Sequence, residues 1–151
     1  MNNPVGSVFN ALHTKLVADA TLVSLTGHTL AAPAIGSSYP HTKSPVKFLA
    51  FQLFNSRPLL DNATQIKIMR IDLLSFCVKK PDAIAIIDHI EYLFDNPDGD
   101  NASYYDFSDD AVKVCDTRPS LRLPEFFHKE FDRFAEGLRI TTIVNPYNPC
   151  S

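Results

Sequence analysis

The sequence predicts an α+β fold, with a mostly antiparallel sheet of about four strands, a long hairpin, and helices packed on one side. Two strand-like runs lie between Val46 and Val78 and are joined by a turn-rich connector. Two helical segments precede these runs, and a third follows them directly. The resulting order, α-α-β-β-α-β-(α)-β, is typical of this fold class. With 151 residues, the whole chain, 1–151, is expected to form one domain.

The N-terminal segment predicts two helices. Asn3 is suited to cap a helix whose first position is Pro4. Apolar residues then recur at helical spacing, at Val5, Val8, Phe9, Leu12 and Leu16. Asp19 is expected to cap a second, short helix, and Gly27 occupies the position of a C-terminal glycine cap. The segment 28–45, which contains three prolines, is predicted to be a long loop.

The predicted hairpin follows this loop. Val46–Phe54 is apolar at both odd and even positions, as in a strand that is buried on both faces. Thr64–Lys79 alternates, but its apolar positions change phase, which indicates either a bulge or a section covered on both faces. An extended run of this length spans about 50 Å, whereas a domain of this size is about 40 Å across. The strand is therefore expected to bend, break or protrude, and a protruding strand would need a partner for its backbone.

The C-terminal half contains the remaining elements. A helix is predicted over Pro81–Phe94, a loop over 96–109 and a short strand over Ala111–Cys115. Phenylalanines and a leucine at helical spacing favour another helix after Pro124, with an irregular strand or loop as the alternative, through Phe127, Phe131, Phe134 and Leu138. Alternation predicts a last strand over Leu138–Val144.

Composition excludes several classes of function. The formal net charge is −3 and no block of Lys or Arg occurs, which disfavours nucleic acid as a primary ligand. Three cysteines without close spacing indicate free thiols in a reducing compartment. The first residues lack the features of a signal peptide, and no apolar run approaches the length of a membrane span. We therefore expect neither export nor membrane insertion.

Motifs for catalysis or metal binding are not found in the sequence. When Gly99 of the acidic loop is aligned to position 6 of a calcium-binding EF-hand, Phe94 and Tyr105 occupy the positions that need oxygen ligands. The five histidines lack ligand-like spacing and are expected to be surface or locally hydrogen-bonded residues: His13, His28, His41, His89 and His128. We therefore predict no catalytic residue, no metal site and no cofactor. An enzymatic or small-ligand-binding α+β domain remains the alternative.

Two features are candidates for protein interaction. The connector contains Arg57, Leu59 and Leu60 at the expected tip of the hairpin. Leucines at such a tip either pack under the body of the domain or anchor a neighbouring molecule. The long hairpin is the second candidate, because pairing between the edges of identical subunits would satisfy its free backbone groups.

The order of elements resembles one known family. The segment from Val8 to Gly27 is similar to the opening of the tail terminator, or tail-completion, proteins of long-tailed phages, in which a helix runs into A-D-x-x-L-V-x-L-x-G. A proline-bearing loop over 32–45 and an apolar strand at Phe48–Leu53 follow in the same order. The helix at Asp82–Ile90 matches that family's D-A-x-x-x-x-D-x-I pattern, and a final strand ends the chain.

This resemblance implies a structural role in a virion. The family forms a ring, usually sixfold, that caps the head-proximal end of the tail tube, stops its growth and joins the tail to the neck or head. The implied partners are other copies of the chain, the major tail tube protein and a neck or head-completion protein, with DNA only passing through the pore. The implied location is the head–tail junction, and the host cytoplasm during assembly. Another head–tail joining or neck protein is the alternative.

Overall fold

The structure is a computed structural model that describes residues 4–36, 46–58, 66–95, 107–109, 112–130 and 132–145. Most of the predicted loop 96–109 and half of 28–45 lie outside these residues. The described elements are, in chain order, α1 (Pro4–Val17), α2 (Ala20–Thr26), β1 (Ile35–Gly36), β2 (Lys47–Pro58), β3 (Lys67–Cys77), α3 (Lys80–Phe94), β4 (Lys113–His128) and β5 (Arg133–Asn145).

The strands form one five-stranded sheet with the order β1-β2-β3-β5-β4. β2 and β3 form the predicted long hairpin, whose register runs from Lys47 opposite Cys77 to Pro58 opposite Lys67. β5 inserts between β3 and β4, and is antiparallel to both. The short β1 pairs parallel to β2. The fold is α+β as predicted, but the sheet is mixed and has five strands, so the prediction of a mostly antiparallel sheet of about four strands was wrong on these points.

Local signals explain the helices. The Asp19 side chain accepts a hydrogen bond of 2.7 Å from the backbone N–H of Leu22, which caps α2. Gly27 has a φ of 72°, a left-handed conformation that glycine adopts without steric cost, and it ends that helix. Pro81 lies in the first turn of α3. These predictions are confirmed, whereas the predicted cap at Asn3 lies outside the described residues.

The helices pack on one face of the sheet, and the main core lies between them. Its strand residues come from one side of each strand, including Leu49, Phe51, Ile71, Leu73 and Leu138. We call the opposite face of the sheet the open face. It carries a second apolar cluster, and every described member of that cluster lies on a strand: Phe48, Ala50, Leu74, Phe76 and Ala135, with Leu123 packed against them.

The second cluster explains the change of phase in β3. Ile71–Cys77 is buried at every position, because one set of side chains faces the helices and the other faces the second cluster. The register of β3 with β5 is unbroken, and the bulge lies in β2 between Leu53 and Asn55. With 11 residues, β3 spans about 36 Å and fits within the domain. The expectation that this strand protrudes was therefore wrong, since β2 and β5 pair with it on both sides.

The predicted C-terminal helix is a strand and a turn. β4 continues from the predicted short strand to His128, and β5 begins at Arg133 after the turn. β4 contains Pro119 and Pro124, which a sheet tolerates because β4 lies at its edge and bulges interrupt its register near both prolines. The strand alternative, rather than the helix after Pro124, is correct here.

Candidate interaction surfaces

The predicted hairpin residues are only partly described. Arg57 lies near the end of β2, where its side chain is exposed. It pairs with Ile68 and belongs to the open face, because Asn55 two residues earlier contacts Arg70 on that face. Leu59 and Leu60 lie outside the described residues, so their role as anchors stays a prediction.

The open face is apolar at the end near the β4–β5 turn. Gly137 lies at its centre, opposite Leu74 on one side and Leu123 on the other. A β-carbon at this glycine would lie 2.7 Å from Leu74 Cδ2 and 2.8 Å from Leu123 Cδ1. The glycine therefore lets two leucines from neighbouring strands close over the backbone of β5.

An ion pair occupies the middle of the open face. Arg139 donates to Asp72 through Nε at 2.7 Å and Nη2 at 3.2 Å, and Asp72 is only 5% exposed. The Phe54 ring covers the guanidinium, with 3.5 Å between the ring centroid and Cζ. The hydrogen bonds to Asp72 raise the pKa of Arg139 against the effect of burial. This arginine is held in place on the sheet, and its charge is matched by a carboxylate.

The other end of the open face is rich in cations. Arg57, Arg70, Lys113 and Arg118 share this end, as their strand registers show. Arg70 donates to Asn55 Oδ1 at 3.2 Å. Arg118 Nε lies 3.4 Å from the carboxylate of Asp116. We call this end the basic end.

Exposed aromatic side chains lie at the β4–β5 turn. Phe126 and Phe127 are each 45% exposed, and Phe134 is 37% exposed. Phe127 and Phe134 contact edge to face across the hairpin, with ring centroids 5.1 Å apart. An open depression of about 150 Å³ lies beside them and is bordered by the ion pair between Lys80 and Glu125. All three phenylalanines, which we call the aromatic turn, border this depression, where a partner side chain can be received.

Two edges of the sheet lack a strand partner among the described residues. β1 pairs with β2 only at Leu49 and Ala50, so β2 has no outer strand neighbour from Phe51 onward in the described part of the chain. β4 is the opposite edge along its whole length. Unpaired strand edges present backbone N–H and C=O groups to a neighbouring molecule.

Arg122 joins α3 to β4, a contact that the sequence did not predict. It donates to Asp88 at 2.8 Å, Glu91 at 3.0 Å and Glu136 at 3.3 Å. Burial alone would lower the pKa of Arg122, but its hydrogen bonds to Asp88 and Glu91 outweigh that effect and raise it. In the sequence, the one sign of this contact is the spacing of Asp88 and Glu91, which places both carboxylates on one face of the helix.

The described histidines have structural partners, as expected. His89 Nε2 lies 2.9 Å from the Asp19 carboxylate that also caps α2. His28 Nδ1 accepts from the backbone N–H of Ala34 at 2.9 Å and of Ile35 at 3.2 Å. Burial, and then the charge of nearby His13, lower the pKa of His28. His41 lies outside the described residues.

The structure describes only some of the residues to which the predictions about thiols and metal sites refer. Cys77 is a free, buried cysteine, and burial raises its pKa to about 12, so it is a neutral thiol at physiological pH. The side chain of Cys115 and all of Cys150 lie outside the described residues. In the part of the chain that the structure describes, no three metal-ligating side chains come together, and no helix has the length and apolar character that a membrane span requires.

Comparison with known proteins identifies a shared fold. No family model matches the sequence, and no curated protein matches it. A chain of the virion of a native gene transfer agent (GTA) particle is similar in structure, with a TM-score of 0.59 and 12% sequence identity. The match covers 95% of this chain and 98% of that chain. At this identity the likeness shows that the two chains share a fold over almost their whole lengths.

Proposed function

We propose that this chain is a structural protein of a phage-like virion. More specifically, we propose that it forms a ring, sixfold as in the family it resembles, that caps the head-proximal end of the tail tube. The observation that carries the proposal is the structural likeness to a virion chain, which covers 95% of this chain and 98% of the other. The likeness extends over almost the whole of both chains and is not confined to one motif.

The two sheet edges support assembly into a ring. They lie on opposite sides of one sheet, so a contact between the β2 edge of one copy and the β4 edge of the next is head-to-tail. Head-to-tail contacts generate closed rings when the rotation between copies closes. Pro119 and Pro124 remove backbone donors from β4, and its bulges interrupt regular pairing. The β4 side of such a contact would therefore use side chains more than a continuous strand ladder.

The aromatic turn supports a protein partner. Large exposed aromatic side chains are enriched in protein interfaces, where they fill pockets of the partner. The proposed partners are a neighbouring copy, the major tail tube protein, and a neck or head-completion protein at the head–tail junction. Phe127 borders the depression and contacts Phe134, so it is the residue of choice for a test.

We also propose that the role is structural and not enzymatic. The polar pairs that resemble catalytic pairs have structural partners instead. The Asp19 carboxylate near His89 caps α2, and His28 accepts two backbone hydrogen bonds. This supports a function without cofactor or metal, in which binding energy comes from interfaces.

Light scattering and tube binding test the proposal. The protein should form rings, alone or when tail tubes are added, and it should sediment with the tubes. Phe127→Glu should reduce tube binding or ring formation at least tenfold, whereas Tyr92→Glu, an exposed aromatic on α3, should have little effect. A protein that stays monomeric and never binds tubes contradicts the proposal. Binding to tailless heads but not to headless tails would instead indicate another head–tail joining protein.

A further inference from the structure

We propose that Leu30 of one copy inserts into the depression at the aromatic turn of the next copy. This contact rests on the proposed ring and names the side chains that would join neighbouring subunits. Its two halves are both described parts of the chain, and they lie at opposite edges of the sheet.

The half that inserts is an ordered turn. Leu30 is 98% exposed, which is the highest value among the large apolar residues that the structure describes. The turn is closed by two hydrogen bonds: Thr29 N–H donates to Ala32 O at 3.2 Å, and Thr29 Oγ1 accepts from Ala32 N–H at 2.8 Å. A side chain that is presented on an ordered turn loses less conformational entropy when it binds. Single exposed leucines are common, so the inference depends on the site that receives this one.

The depression at the aromatic turn has room for one such side chain. Its volume is about 150 Å³, and an apolar cavity of about this volume holds a benzene molecule. Its border includes the three rings of the aromatic turn together with Ala83 and Ala135. A leucine placed there would remove apolar surface of both copies from water, which stabilises the contact.

The charges beside the depression are compatible with this occupant. Lys80 Nζ lies 2.7 Å from Glu125 Oε1, so these two charges already match each other. The segment 29–36 contains no Asp, Glu, Lys or Arg. Its insertion would therefore bring no additional charge into the contact that needs a partner there.

The turn and the depression lie at the same end of the sheet. Ile35 pairs with Leu49, so the residues before Ile35 run toward the row of Phe48. That row continues across β3 and β5 to Phe126, which borders the depression. Within one copy, four strand spacings, about 19 Å along the sheet, separate the two edges.

This placement suits a head-to-tail ring. In the proposed ring the β2 edge of one copy faces the β4 edge of the next. If the ring axis runs along the strands, the turn of one copy meets the depression of its neighbour at the same level. Every copy then gives one leucine and receives one, as a head-to-tail contact requires.

Ring formation over a range of protein concentrations, alone and with tail tubes present, tests the proposal in analytical ultracentrifugation. Leu30→Ala should raise the concentration needed for assembly about tenfold, because it removes most of the buried side chain. Leu30→Met should restore most of the assembly, since methionine is also apolar. Tyr92→Ala is the matched control, because it shortens another exposed apolar side chain, on α3, and it should leave assembly unchanged. The urea midpoint of Leu30→Ala should equal that of the parent, because Leu30 is almost fully exposed.

A mixing experiment tests the direction of the contact. Leu30→Glu keeps an intact depression, and Phe127→Glu keeps an intact turn. Each variant alone should stay monomeric at concentrations where the parent forms rings. An equal mixture should contain dimers and no rings, because only one of the two possible contacts between the variants is intact.

A photo-cross-link identifies the neighbour of position 30. The variant Leu30→p-benzoylphenylalanine, irradiated after assembly, should be joined to residues 124–135 of another copy, as peptide mass spectrometry can show. Cross-links to the tail tube protein, or to the segment 59–65 of another copy, would assign this side chain to a different site and overturn the proposal.

Two further results would overturn this contact and leave the ring proposal standing. One is a Leu30→Glu variant that forms rings at the same concentration as the parent. The other is a parent that forms rings while the mixture contains no more dimer than its separate components. A parent protein that never assembles, alone or on tubes, would contradict the ring proposal and this contact together.

Discussion

Gly137 offers a sharp test of the packing of the open face. Replacing it with alanine adds a β-carbon 2.7 Å from Leu74 Cδ2 and 2.8 Å from Leu123 Cδ1. Carbon atoms in favourable contact lie about 3.5–4.0 Å apart, so both leucines must move. Overpacking of this kind costs about 1–3 kcal/mol. Alanine also restricts the unfolded chain, which offsets about 0.4–1 kcal/mol. We expect Gly137→Ala to lower the free energy of unfolding by about 1–2 kcal/mol.

Equilibrium unfolding in urea measures this effect. With an m-value of about 2 kcal/mol/M, the midpoint should fall by about 0.5–1 M while m stays unchanged. Gly36→Ala is the matched control, because its β-carbon would lie 3.5 Å from Phe48 Cζ, an ordinary contact. It should leave the midpoint unchanged or raise it. Equal stability of the two variants would refute the proposed packing.

A second substitution locates the cause. Leu123→Ala removes the Cδ1 atom that would lie against the new β-carbon. If the overlap is the reason for the loss, the double variant should be more stable than the sum of the single effects predicts, by at least about 0.5 kcal/mol. Strictly additive losses would mean that Gly137 matters for another reason.

Three further predictions concern other parts of the molecule. Arg122→Met should lower the free energy of unfolding by about 1–2 kcal/mol, because it leaves the nearly buried Glu136 without its ion pair. In the same urea titration, Arg118→Met should change the free energy of unfolding by less than about 0.5 kcal/mol. The pKa of His28 is lowered in the fold, so stability should be full above about pH 6.5 and fall as pH drops below it. Thermal unfolding should show this loss, and His28→Asn should reduce it; an unchanged pH dependence would contradict the assignment. Cys77, with its pKa raised to about 12, should resist alkylation in the native protein and react only after unfolding, as peptide mass spectrometry can show; rapid native labelling would count against its burial.

Local signals in the sequence predicted the helices well. A capping aspartate at Asp19, a glycine at Gly27 and a proline at Pro81 act on the backbone within one turn. Their effects do not depend on distant parts of the chain. The hairpin of β2 and β3 was also predictable, because its two apolar runs are adjacent in sequence.

The error in the C-terminal third has a physical cause. A helix brings residues seven apart onto one face, and a tight hairpin can also place such residues opposite each other. Phe127 and Phe134 satisfy the second geometry, with ring centroids 5.1 Å apart across the β4–β5 turn. The insertion of β5 between β3 and β4 depends on long-range pairing, and the two-residue β1 is too short to give a pattern. Neither could be obtained from periodicity.

The candidate surfaces depend on register more than on motifs. Arg57 was predicted from its position in the connector. Arg70, Arg118 and Arg139 come from three strands, and only the pairing of those strands brings them to one face. A partial signal exists in the alternation of Arg70 and Asp72 with buried apolar residues of β3. The net charge of −3 averages over both faces and therefore hides the basic end.

Imaging of growing tail tubes tests the central claim most directly. Tubes would be polymerised with and without this protein, and a labelled form would be located by electron microscopy. The proposed function predicts label in a ring at a single end of each tube and tubes that stop growing. Tubes of unchanged length, with label absent or spread along their sides, would contradict it.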